Sequence, residues 1–194
     1  MRAGERCSSR GAARMVLLAI LMLVESSVAA QGSVPLEYRN KASFLVTFPR
    51  FIDWPDEAFA AATAPFFVCV TGDFQFGTYL AESARTVAVH GRRIEVRWVR
   101  KDQELKRCHI LFVSRSEAKR YGRILQMVQG ADVLTIGETS DFLNAGGVLS
   151  FSFENEDLQF EVNLVAANEA HLRVSSKLLA VARRVMNVSE SAKS

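Results

Sequence analysis

From residue 36 onward the spacing of apolar positions changes several times along the chain, and each change marks an element. In EYRNKASFLVTFPRFIDWP, Phe44, Leu45, Phe48, Phe51 and Ile52 stand at i, i+1, i+4, i+7 and i+8, the stripe of an amphipathic helix. Pro49 is expected to kink that helix, because it lacks an N–H donor and crowds the preceding turn. WPDEAFAAATAP reads as a surface loop. The apolar run from Phe66 to Thr71 reads as a strand and leads through GDFQFG into a helix near Thr78 to Ala84. Strands are expected at Ile94 to Val99, His109 to Ser114 and Asp132 to Ile136, and helices over Ser116 to Gln129 and Thr139 to Asn144. After Gly146 and Gly147, VLSFSFENEDLQFEVNL alternates on both sides of ENED, the pattern of a hairpin. In HLRVSSKLLAVARRVM, Leu178, Leu179, Ala182, Val185 and Met186 return to helical spacing behind a Ser175 or Ser176 cap. Strands alternating with helices and ending in a hairpin predict a three-layer α/β fold. Its sheet is mixed but mostly parallel, with helices on both faces and a C-terminal hairpin followed by a helix.

The first thirty residues follow a different pattern. Four arginines precede an apolar run from Met15 to Val24, and small residues follow it, which is the layout of a secretory signal peptide cut after Ala30. The run is too short for a membrane-spanning helix, which needs roughly 20 apolar residues. The expected organisation is a removed leader over residues 1–30, one α/β domain over 31–187 and a disordered tail over 188–194. Export changes two counts. The charge falls from 24 Lys+Arg against 21 Asp+Glu to 20 against 19 once four arginines, Glu5 and Glu25 leave, so net charge offers no argument for binding nucleic acid. Cys7 leaves as well, and the remaining pair, Cys69 and Cys108, reads first as a disulfide in an oxidising compartment.

Cys108 has two other chemical options, a nucleophile and a metal ligand. A nucleophile pair with His109 needs converging side chains, and neighbours on a strand point to opposite faces. The three histidines show no metal-ligand spacing with each other or with the cysteines, so neither metal nor cofactor is expected. No nucleophile elbow, phosphate loop or dinucleotide fingerprint occurs. A hydrolase would have to draw on Ser114 or Ser116 with His109. VTGDFQFGTYL, a strand followed by a glycine-framed loop, has backbone N–H groups able to hold an anion. The alternating strand HGRRIEVRWVR carries Arg93, Glu95 and Arg97 on one face and reads as a solvated surface.

The order of segments adds a resemblance. KASFLVTFPRFIDWP, FFVCVTGDFQFGTYL, CHILFVS, VLTIGETSDFLNAGGVLSF and LQFEVNLVAANEAHLRVSSKLLAVA together resemble the YfiR family of periplasmic proteins from about Tyr38 to Met186. The resemblance implies a negative regulator that binds the periplasmic part of an inner-membrane diguanylate cyclase and holds it inactive, acting on cyclic-di-GMP signalling and biofilm formation; relatives also serve other membrane sensors. It implies a periplasmic homodimer without enzymatic activity, and a disulfide at Cys69 and Cys108. A second family disulfide, in the region matching Ala145 to Ser152, has no cysteines here. By the same resemblance Trp54 and Arg173 are expected to contact a small aromatic or nucleotide-like ligand, and Glu161 is a candidate partner contact. An indole stacks on flat ligands, and a guanidinium grips carboxylate or phosphate through two hydrogen bonds. A small-molecule sensor for another membrane partner is the alternative that the resemblance leaves open.

Overall fold

A computed structural model describes residues 35–154 and 157–187; the expected leader and tail lie outside the described residues. Helix α1 (Leu36–Thr47) stops two residues before Pro49, and the chain tightens into a 3-10 turn over Phe48–Phe51 that holds the proline near its start. Pro49 therefore ends the α-helix instead of kinking it, since its ring is tolerated only in a first turn. That turn feeds a two-residue strand, β1 (Ile52–Asp53). β2 (Phe66–Thr71) falls where the pattern placed it. α2 (Phe74–Ala84) begins at Phe74, not near Thr78, because the Asp73 side chain accepts a hydrogen bond from the Phe76 N–H and caps the helix.

β3 (Ala88–Val89) and β4 (Arg92–Trp98) form a hairpin. Its two turn residues, His90 (φ 49°) and Gly91 (φ 76°), are both left-handed, the geometry of the tight turn that matches strand twist. β5 (Ile110–Val113) is followed by a 3-10 turn over Arg115–Arg120 and only then by α3 (Tyr121–Val128), so the helix expected from Ser116 is α-helical in its second half alone. β6 (Leu134–Gly137), α4 (Ser140–Asn144), β7 (Leu149–Glu154) and β8 (Asp157–Asn163) come next. α5 (Leu164–Glu169), β9 (Arg173–Val174), α6 (Ser176–Leu179) and β10 (Arg184–Met186) complete the described chain. The long final helix expected from residue spacing is thus replaced. α6 is a single turn capped by Ser175, and Val185 and Met186 belong to a strand that pairs in parallel with β8.

The main sheet has the order β10-β8-β7-β6-β5-β2-β4-β3. β4, β2, β5, β6 and β7 run parallel, β3 is antiparallel to β4, and β8 is antiparallel to β7 but parallel to β10. The mixed, mostly parallel α/β sheet is therefore present, and its five parallel strands take the order 2-1-3-4-5, the flavodoxin-like doubly wound arrangement. Alternate residues face two cores. Val68, Val70, Ile110, Phe112, Leu134 and Ile136 meet α1 and α2 on one side. Cys69, Leu111, Val113 and Val133 meet α3 and Phe142 of α4 on the other. α1 covers the hairpin with aromatic rings: Phe44 lies 4.7 Å from Phe151 and 5.2 Å from Phe160. None of the described helices is long and apolar enough to cross a membrane.

Candidate functional site

The residues singled out from sequence fall at two edges of the sheet. β1 and β9 form a small antiparallel ribbon, with Ile52 opposite Val174 and Asp53 opposite Arg173. This register brings Trp54 and Arg173, 119 positions apart by their numbers, to one corner at the N-terminal ends of the parallel strands. The half-buried indole of Trp54 packs edge-on against Phe66, ring centres 5.0 Å apart. Its Nε1–H donates to the Asp132 carbonyl oxygen at 3.1 Å. Asp132 thereby links two groups, because its carboxylate also meets His171 Nδ1 at 2.8 Å, and His171 is held in left-handed backbone (φ 55°). The Arg173 side chain is 85% exposed, and its ion pair among the described residues is a loose 4.0 Å approach to Asp53. Asp53, Asp132 and His171 carry no motif in the sequence and enter the corner only through strand pairing.

Cys69 and Cys108 are joined, with Cα atoms 5.8 Å apart, well within bridging range. The bridge is buried in the second core and closes a separation of 39 residues. His109 points the other way and is held structurally. Its Nδ1 accepts from the Phe67 N–H at 2.9 Å, which leaves Nε2–H to donate to the Ala58 carbonyl at 3.0 Å. The ring stacks with Phe59 at 4.5 Å. Burial, the leading cause, lowers its pKa below the usual histidine value, and the carbonyl of Ala58 opposes that in part. Ser114 and Ser116 lie beyond the far end of β5, so the residues a hydrolase would have needed do not converge.

In a doubly wound sheet ligands usually sit outside the C-terminal strand ends where strand order reverses, here between β2 and β5. That place is narrowed to a cavity of about 190 Å³ lined by Thr71, Gly72, Asp102, Glu117 and Arg120. A Cβ on Gly72 would stand 2.5 Å from Ser116 Oγ and 3.0 Å from Ser114 Cβ. The loop suited to an anion is occupied by the chain's own Asp73. Besides capping α2, Asp73 accepts from the Tyr38 hydroxyl at 2.7 Å, and that hydrogen bond is the main reason the phenol's pKa is pushed up to about 12. Beside it Lys41 of α1 is 5% exposed and pairs with both Glu37 and Glu138. Glu138, 6% exposed, also accepts from the Arg115 backbone N–H at 2.6 Å. Of this latch only the i, i+4 pair Glu37–Lys41 is visible in the sequence.

Glu161 stands apart from Trp54 and Arg173. It is opposite Ser150, which is opposite Gly137 at the C-terminal end of β6, whereas Asp132 precedes that strand. Arg184 grips one of its oxygens at 2.7 Å. On β4, Glu95 lies 2.9 Å from Arg97 and 3.6 Å from Arg93. The Arg97 guanidinium covers the Phe67 ring at 3.4 Å. This is a paired, solvated strand face.

The chain is thus a doubly wound α/β domain with one buried disulfide and its own side chains narrowing the switch point. The sequence profile of the YfiR/HmsC-like family matches residues 38–183, and the chain belongs to that family. The family is regulatory and non-catalytic, and membership supports, at the level of the family, a periplasmic regulator of diguanylate cyclase signalling. A comparison with curated proteins gave no match. Among solved structures, the chain is similar to a conserved domain protein from Vibrio cholerae at 12% identity and TM-score 0.47, covering 61% of this chain and 54% of that one. It is also similar to an ABC domain in complex with L-Trp from Streptococcus pneumonia at 11% identity and TM-score 0.45, covering 62% and 55%. The chain thus spans about half the length of each, and no functional statement follows from either.

Proposed function

We propose that this protein is an exported negative regulator that binds the periplasmic part of an inner-membrane diguanylate cyclase and holds it inactive. The family match over residues 38–183 carries the reading. Such a protein acts by differential binding, since it shifts a two-state enzyme only as far as it prefers the inactive state. Export depends on the leader over residues 1–30, and the working form is a homodimer. Glu161 contributes to the partner-facing surface. Trp54 and Arg173 take a small aromatic or nucleotide-like ligand that tunes the interaction. What supports this role is that Arg173 is exposed and only loosely paired, while Trp54 presents a half-buried ring one position after the strand that aligns Asp53 with Arg173. The second reading, a small-molecule sensor serving a different membrane partner, rests on the same corner.

Deleting the gene should raise cellular cyclic-di-GMP, and supplying the exported chain should lower it again. Capture of the tagged protein from membrane extracts should recover a cyclase. An unchanged nucleotide level across several growth conditions would overturn the cyclase assignment, and recovery of another sensor would favour the second reading.

A further inference from the structure

We propose that a cavity of about 300 Å³ beside the hairpin is a binding site for a small neutral polyhydroxylated molecule, a sugar or polyol. The cavity is lined by Glu138, Thr139 and Ser140, which follow β6, by Ser150, Phe151 and Ser152 on β7, by Glu161 on β8, and by Arg183 just before β10. Register places Ser150 opposite both Gly137 and Glu161, so β7 and β8 turn hydroxyls and a carboxylate toward one face while Phe151 and Phe160 turn to α1 on the other. The volume is at the lower end of the range for small-molecule pockets, roughly 300–1,000 Å³.

Hydrogen bonding in the free protein is incomplete at this place. Ser150 is 3% exposed. The Ser152 hydroxyl is buried and, among the described residues, has no hydrogen-bond partner. Buried hydroxyls are rarely left unpaired, because their desolvation is not repaid. Arg184 holds Oε2 of Glu161 through both Nε and a terminal nitrogen, leaving the other carboxylate oxygen able to accept. The site thus offers groups that donate and accept beside groups that only accept.

Charge selects the ligand class. Glu138 is already matched by Lys41, and Glu161 by Arg184, so a free cation gains little there. An anion would face two carboxylates, and the one lining cation, Arg183, is itself already engaged. Among the described residues no cluster is able to hold a metal ion. A neutral molecule rich in hydroxyls fits both constraints, since each hydroxyl donates to a carboxylate or serine and accepts from a serine in turn.

The test is a titration of the isotope-labelled mature chain with D-glucose, N-acetylglucosamine and glycerol, followed by backbone NMR shifts, with inorganic phosphate and ethylammonium as charged probes. Saturable shifts centred on Ser150, Ser152 and Glu161 are expected from at least one neutral probe, with an affinity that does not move with added salt. Ser150→Ala and Ser152→Ala should each weaken it roughly 3- to 10-fold, the loss of one neutral hydrogen bond. Without ligand, Ser152→Ala should leave the unfolding midpoint unchanged or higher, because it removes an unpaired buried hydroxyl. The proposal is overturned if no neutral probe gives saturable shifts at these residues, if a charged probe alone does so, or if Ser152→Ala lowers stability.

Discussion

The two edges of the parallel sheet treat charge in opposite ways. At the C-terminal edge Lys41 and Glu138 are about 95% removed from solvent and are tied to Glu37, to the Arg115 backbone and, through neighbouring Tyr38, to the cap of α2. At the N-terminal edge Arg173 reaches into water and meets Asp53 at only 4.0 Å. Buried pairs cost several kcal/mol to break because the surviving charge is stranded, whereas exposed pairs contribute about 0–1 kcal/mol. At the first edge this latch is structural and holds α1 in place, while cavities remain beside it at Gly72 and at Ser152. The second leaves a guanidinium and part of an indole free to meet something else. The contrast is between charges locked in buried pairs and a charge left in water.

The largest expected effect of breaking this contrast is at the latch. Lys41→Met should cost about 3–5 kcal/mol by leaving Glu138 buried without its main cation, and adding Glu138→Gln should restore a good part of the loss. Chemical denaturation of the single and double variants checks this, and a double variant no better than the single would show that the pair is not coupled. Reducing the Cys69–Cys108 bond, or replacing both cysteines with serine, should cost about 4 kcal/mol on the chain-entropy account of a loop of this size. A fold whose midpoint is the same under oxidising and reducing conditions would contradict it.

A smaller effect follows from His109. Its folded pKa is depressed, so below about 6.5 the unfolded imidazole takes up a proton that the folded ring resists. The His109 contribution is thus full above that pH and is lost as pH falls from there toward the folded value, after which it levels off. His109→Gln should flatten that part of the stability profile between neutral and mildly acid pH, and an unaltered slope would assign the dependence to other groups. At the exposed edge, Arg173→Ala should change stability by no more than about 0.5 kcal/mol, while weakening ligand or partner binding by about 1–3 kcal/mol as a charge-assisted contact is lost. Trp54→Ala should reduce binding too, with some loss of stability from its contacts to Phe66 and Asp132. The smallest effect is expected from Arg93→Ala with Arg97→Ala, whose ion-pair partner Glu95 is on their own strand. If that pair abolishes partner binding while Arg173→Ala does not, the functional surface belongs on β4.

What the sequence determined by itself was whatever depends on neighbours along the chain. Alternation and caps located β2, β5 and the β7–β8 hairpin, because burial on one face imposes a period of two on the residues themselves. Export and cysteine parity pointed to the Cys69–Cys108 bond, since redox compartment and count are properties of composition. Spacing misplaced the end of the chain, where Leu178 to Met186 fit a helix but the open edge of β8 took Arg184–Met186 as a strand. Propensity cannot register a partner strand that lies elsewhere in the chain. The site divides in the same way. Resemblance named Trp54, Arg173 and Glu161, but only the pairing of β1 with β9 brought the first two together and set Glu161 at the other edge. The latch of Lys41 with Glu138, the link from Trp54 through Asp132 to His171, and the cavity between the end of β6 and the hairpin all join residues from different elements. Their energies arise from desolvation and distance, and both quantities come into existence only when the tertiary structure brings these groups together.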